Sequence, residues 1–95
     1  MTDSDLFDVG GSVTVITGGA SGIGLAIAET MTAGGAQVTL MDRDGDALKK
    51  AATDLPASSI QVDVTDLGAL SSAFEDVAAK HGRIDVVFAN AGIGG

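Results

Sequence analysis

The chain has no cysteine, no tyrosine and no tryptophan, and only one proline and one histidine. Without cysteine there is no disulfide and no thiolate chemistry. The aromatics are Phe7, Phe74 and Phe88 alone, so a core must be assembled from Val, Ile, Leu, Ala and Gly, which suits close packing of helices on a sheet. Basic residues are scarce as well. Five Lys and Arg stand against thirteen Asp and Glu, a formal charge of −8. Nucleic acid is thereby excluded as a partner, because its phosphates demand clustered Lys and Arg, and so is an anionic membrane surface. No apolar run approaches the roughly 20 residues of a membrane helix. The N-terminus, Met1-Thr2-Asp3-Ser4-Asp5, lacks the basic and apolar regions of a signal peptide. A soluble cytoplasmic protein is expected. Ninety-five residues, 45% of them hydrophobic, allow one small domain. Its stability is expected to be marginal, since a chain of this length buries only about 60–65% of its unfolded surface.

What the chain does contain is a rhythm. Residues 1–11 read as an acidic leader, pinned by Leu6 and Phe7, and residues 12–95 as the folded part. Val13–Thr17 is expected to be a strand and Gly22–Ala33 a helix, which Gly34-Gly35 stops. Gln37–Met41 is a second strand. Asp44–Asp54 is a helix with Asp44 as its cap and Lys49-Lys50 near its C-terminal end, a favourable dipole arrangement. Pro56 ends it. Ser59–Val64 is a third strand. Thr65 or Asp66 caps a helix through Lys80, which Gly82 terminates, and Ile84–Ala89 is a fourth strand. The order is β-α-β-α-β-α-β. Near-continuous apolar strands such as Val13-Thr14-Val15-Ile16 are covered on both faces, and such alternation gives a parallel sheet with right-handed crossovers.

The most informative stretch is Thr17-Gly18-Gly19-Ala20-Ser21-Gly22-Ile23-Gly24. It follows a run of β-formers and opens the helical pattern Leu25-Ala26-Ile27-Ala28-Glu29. A glycine-rich turn between strand and helix binds phosphate. Glycines let the backbone approach an anion, and the free N–H groups and dipole of the helix N-terminus hold its charge. Four glycines between Gly18 and Gly24 exceed what a plain tight turn needs. No Gly-Lys-Ser/Thr follows, so this is not a P-loop. A Rossmann-like methyltransferase fits poorly, since its first strand usually ends in an acid and this one ends in Thr17.

With three further motifs, Asp42, Asp63-Val64 and Asn90-Ala91-Gly92, the chain resembles the N-terminal half of a short-chain dehydrogenase/reductase of the classical type, over about residues 8–95. The resemblance implies an α/β fold: a partial Rossmann-type, doubly wound parallel sheet of strand order 3-2-1-4. It also implies an oxidoreductase that moves hydride reversibly between NAD and a secondary alcohol or ketone. Gly18, Ala20, Ser21, Gly22, Ile23 and Gly24 would cradle the cofactor phosphates.

Asp42 ends the second strand, 18 residues after Gly24. A carboxylate there can accept hydrogen bonds from the adenosine ribose hydroxyls. It would repel a 2′-phosphate by on the order of a few kcal/mol at close range, which favours NAD over NADP. The adjacent Arg43 is the opposing signal, because a base at that point can face a 2′-phosphate; the alternative is a solvated partner of its acidic neighbours. Asp42 itself has the alternative of a surface turn acid. By resemblance, Asp63 bonds the adenine amino group and Val64 supplies a backbone contact; the alternative is that Asp63 caps the turn into the next helix. By resemblance also, Asn90-Ala91-Gly92 stabilises the central sheet and lies along the cofactor ribose. His81, at a helix C-terminus, reads as a solvated cap residue, Met31 and Met41 as core filling, and Glu75-Asp76 as a solvated helix face.

The family's chemistry uses a Tyr-x3-Lys helix and an upstream Ser. The chain has no tyrosine, and Lys49, Lys50 and Lys80 are in the wrong elements, so no catalytic residue and no metal ligand is assigned. The chain is expected to be the N-terminal part of a longer enzyme and inactive alone. A non-enzymatic NAD-binding module acting by assembly is the competing reading. In the order 3-2-1-4 the fourth strand lies at an edge, so self-association, or pairing with a C-terminal part, is expected.

Overall fold

The computed structural model describes residues 10–20 and 22–90. Their order is β1 (Val13–Thr17), α1 (Gly22–Ala33), β2 (Gln37–Asp42), α2 (Gly45–Asp54), β3 (Ala57–Gln61), α3 (Leu67–His81) and β4 (Val86–Ala89). The four strands form one sheet of order β3-β2-β1-β4. Every pairing is parallel: Val15 lies opposite Thr39 and Val87, and Asp42 opposite Gln61.

Side-chain alternation along the strands distributes the core to two faces. Ile16, Val38 and Leu40 pack with Ala28 and Met31 of α1 and with Leu48 and Ala51 of α2. Val13, Val15, Met41 and Val62 pack with Ala73 and Val77 of α3. Two helices therefore cover one face and the third covers the other, and all five residues of β1 are buried between them. That double cover is why β1 is apolar at successive positions and does not alternate.

The helix starts follow their caps. Asp44 and Asp66 accept from the N–H groups of Ala47 and Ala69, each at 3.1 Å. Thr65, the other candidate for the cap, instead bonds back to Asp63. Lys49 and Lys50 fall mid-helix, and the last turn of α2 carries no base. The dipole of α2 is matched by Asp46 in its first turn.

Strand boundaries moved where pairing decided them. β3 begins directly after Pro56, because Ala57 and Ser58 pair with Val38 and Thr39. It ends at Gln61, since the chain turns at Asp63. β4 starts at Val86, two residues late; Ile84 and Asp85 belong to its approach, where the Asp85 N–H still reaches the Val13 carbonyl at 2.8 Å. Met31 and Met41 are buried and Glu75 and Asp76 exposed, as expected. His81 is half-buried and not simply solvated: it lines an open cleft of about 390 Å³ with Leu55, Pro56 and Gln37, at the end of the sheet where the strands begin. The leader residues 1–9 lie outside the described residues.

Candidate functional site

The carboxyl ends of the four strands share one edge of the sheet. β1 lies between β2 and β4, and the chain leaves β1 on one side to build β2 and β3 before crossing to β4 on the other. In open α/β sheets the crevice at such a switch point is where ligands bind.

The loop after β1 is fastened to both neighbours. On one side, the Gly18 and Gly19 N–H groups donate to the Met41 carbonyl, at 2.7 and 3.3 Å. On the other, the Thr17 hydroxyl donates to the Phe88 carbonyl at 3.3 Å and accepts the Asn90 N–H at 3.0 Å. The Asn90 side-chain amide then donates to the Gly18 carbonyl at 3.3 Å. Asn90 thus joins the end of β4 to the start of the loop.

Glycine is required here for two different reasons. Gly18 and Gly22 sit at φ +65° and +57°, the left-handed region that costs other residues roughly 1 kcal/mol or more. Gly24 is buried in the first turn of α1, and a Cβ there would collide with the Gly18 carbonyl and approach the Gly19 Cα to 3.0 Å. The helix can therefore sit directly on the loop. Its first turn contains no acid, and N–H groups in a first turn have no acceptor within the helix. Ile23, 72% exposed, projects from this turn. This cradle fits a phosphate group of a nucleotide.

Asp42, at the end of β2, turns its carboxylate onto this loop. Oδ2 accepts the Ala20 N–H at 3.4 Å, and Oδ1 accepts the Asp44 N–H at 3.1 Å. The strand end, the loop and a negative charge meet within one half-buried spot. Arg43 is exposed.

Asp63 is exposed after β3. Its Oδ1 accepts from the Thr65 hydroxyl at 2.7 Å and the Thr65 N–H at 2.9 Å. Those two bonds, hydroxyl first, hold its carboxyl below the ordinary value of 3.8; burial opposes slightly, and the charge of Arg43 adds to the lowering. The turn-making role weighed for Asp63 is therefore realised, and the same carboxylate stays ionised at the site edge. Val64 beside it is half-buried. Ser21, Ala91 and Gly92 lie outside the described residues.

Gln61 was not identified from sequence. Its amide Nε2 donates to the Arg43 carbonyl at 3.1 Å. The only signal for it is the register that sets Asp42 beside Gln61, which a linear reading lacks. Arg83 and Asp85, at the opposite edge, were missed as well. The Asp85 carboxylate accepts the Val13 N–H at 2.8 Å and Arg83 Nε at 2.9 Å, and Arg83 reaches the Gly11 carbonyl. These bonds clamp the start of the sheet and lie away from the crevice. Among the described residues no cluster of His, Cys, Asp or Glu could hold a metal ion.

The family described as "short chain dehydrogenase" matches residues 12–95. A 2-dehydro-3-deoxy-L-rhamnonate dehydrogenase (NAD(+)) from Sphingomonas sp. (strain SKA58) is 38% identical over 86 residues, 90% of this chain and 34% of its own length. The meso-2,3-butanediol dehydrogenase of Serratia marcescens is 43% identical over 84 residues, 85% of this chain and 34% of its own. The fold is similar to that of a 3-ketoacyl-(acyl-carrier-protein) reductase from Brucella melitensis complexed with NADH, with a TM-score of 0.79 and 30% identity, over 83% of this chain and 33% of that one. The chain spans about a third of the length of these relatives.

Proposed function

The chain belongs to the short-chain dehydrogenase family, and on that premise we propose that it forms the NAD-holding part of an oxidoreductase acting on a secondary alcohol or ketone. The Gly18–Gly24 loop and the N-terminus of α1 hold the pyrophosphate. Asp42 accepts from the adenosine ribose hydroxyls, and Asp63 and Val64 border the adenine. Asn90, with Ala91 and Gly92, follows the ribose at the nicotinamide end. NAD, when bound, supplies the hydride acceptor; the residues of this chain bind and orient it. The 95 residues include no tyrosine, so on this reading they hold NAD and do not themselves supply the Tyr-x3-Lys pair of the family's chemistry. The same reading places the protein in the cytoplasm and its β4 edge against further protein, either a second copy or a C-terminal part. No helix among the described residues is long and apolar enough to cross a membrane.

The observation that carries the choice of NAD is the Asp42 carboxylate 3.4 Å from the Ala20 N–H. It supports the reading because a negative charge held beside the glycine loop would repel a 2′-phosphate bound there. Calorimetric titration with NAD and NADP tests it. NAD is expected to bind at least about tenfold more tightly, the effect of roughly 1.4 kcal/mol of charge repulsion. Equal affinities, or a preference for NADP, would overturn the reading.

A further inference from the structure

Two side chains with opposite consequences for cofactor choice stand together at the end of β2. The Asp42 carboxylate suits a ribose diol, and the Arg43 guanidinium suits a 2′-phosphate. Which of them faces the ribose depends on the backbone of the turn at residues 42–45. That turn is fastened at successive points. The Asp42 carboxylate accepts the Ala20 and Asp44 N–H groups, and the Asp42 carbonyl accepts the Val62 N–H at 2.9 Å. The last fastening is the amide of Gln61, whose Nε2 donates to the Arg43 carbonyl at 3.1 Å.

Gln61 reaches that carbonyl for two reasons. The parallel register places it beside Asp42. Gly45 also leaves its space empty: a Cβ there would lie 2.8 Å from Gln61 Oε1 and 3.3 Å from Nε2. A carbonyl can only accept, so the contact needs the amide N–H that Gln supplies. With the turn in this form the two selectors have different surroundings. Asp42 meets the loop on the β1 side, while Arg43 is exposed.

We propose that Gln61, seated on Gly45, is a positioning residue that fixes the Arg43 peptide so that Asp42 and not Arg43 faces the adenosine ribose, and that it thereby sets selection for a dinucleotide without a 2′-phosphate. This rests on the NAD-binding reading above. Gln61 acts through the turn, and Gly45 is part of the same device because a Cβ there, 2.8 Å from Gln61 Oε1, makes the amide shift.

The test uses the whole chain and three variants: Gln61→Met, Gly45→Ala and the two combined, each titrated with NAD and NADP by calorimetry. Gln61→Met keeps the bulk and removes the donor. Gly45→Ala leaves Gln61 in place and pushes its amide off the carbonyl; Gly45 is not at positive φ, so alanine is compatible with the helix. One neutral hydrogen bond corresponds to about a two- to tenfold change in an equilibrium. The NAD:NADP affinity ratio is expected to fall by that factor in each single variant. The double variant is expected to fall no further than Gln61→Met, because two lesions of one contact do not add. A role in stability alone would move the melting temperature and leave the ratio in place. An unaltered ratio in Gln61→Met, with NAD binding intact in the parent chain, overturns this inference and leaves the NAD reading standing. Failure of the parent chain to bind either dinucleotide overturns the NAD reading and this inference with it.

Discussion

The N-termini of α2 and α3 differ from that of α1, although all three helices begin at the same edge of the sheet. α2 and α3 start on Asp44 and Asp66, whose carboxylates accept the N–H of the third helical residue. Their positive ends are answered from within the chain. α1 starts at Gly22, carries no acid in its first turn, and has its third position filled by a buried glycine resting on the loop. The same unsatisfied donors exist at every helix start. At α2 and α3 an aspartate supplies an acceptor, whereas the first turn of α1 carries no acid and rests on the glycine loop, the terminus that the proposed cofactor phosphate would meet.

The largest effect should come from filling the α1 terminus. Gly24→Val places a branched side chain against the Gly18 carbonyl, with backbone on both sides. We expect a loss of about 3 kcal/mol, the upper range of overpacking. Thermal denaturation should show a drop of about 10 °C or more for a domain of this size, together with loss of NAD binding. A Gly24→Val chain that melts and binds like the parent would show that helix and loop are not in contact.

Next comes the charge that borders this terminus. Asp42→Asn keeps the shape and removes the negative charge, so the NAD:NADP affinity ratio should fall about tenfold. If the ratio holds, selection resides elsewhere. A smaller effect is expected at the self-capped helices. Asp66→Ala should cost about 1 kcal/mol of stability through the lost cap, read by urea denaturation, and leave NAD affinity within error. A marked loss of NAD binding in Asp66→Ala would erase the distinction between the aspartate-capped termini and the glycine-bearing one.

The smallest effect is in pH. Asp63 and Asp85 both have folded-state values below the ordinary 3.8; for Asp85 the Val13 N–H is the main cause, with burial opposing and Arg83 assisting. A depressed carboxylate contributes stability that is fully present above its unfolded value and is lost as pH falls through the folded one. The melting temperature should therefore be insensitive to these two groups at neutral pH and decline below about pH 4. Asp85→Asn should flatten that decline. An unaltered acid limb would show that the clamp on Val13 adds nothing.

Much of this architecture was legible because local signals agreed with one another. Val13–Thr17 and Gly22–Ala33 were bounded by their own chemistry, an apolar run closed by glycines and a helical pattern closed by Gly34-Gly35. Asp44 was readable as a cap because it precedes the helix it serves. The ends of β3 and β4 were not readable in the same way. Ser59–Val64 has strand character, whereas the sheet uses Ala57–Gln61, and only pairing with the stretch from Val38 to Asp42 selects the residues that join. In the site, Thr17–Gly24, Asp42 and Asn90 carried recognisable chemistry. Gln61 did not, nor did Arg83 and Asp85 at the other end of the sheet, since an exposed Gln or a surface ion pair is unremarkable until its partner is known.

By itself the sequence determined the elements, their parallel order and the glycine-rich character of the first turn. Each of these depends on residues within a few positions of one another: β-branched runs, helix caps, and glycines where φ must be positive. The tertiary structure alone decided what meets across the sheet. Asp42 lies against Ala20, 22 residues away in the chain, and Asn90 bonds to Gly18, 72 residues away. Gln61 bonds to Arg43, 18 residues away. Those contacts follow from strand register, and register is set by how both faces of the sheet bury their side chains at once.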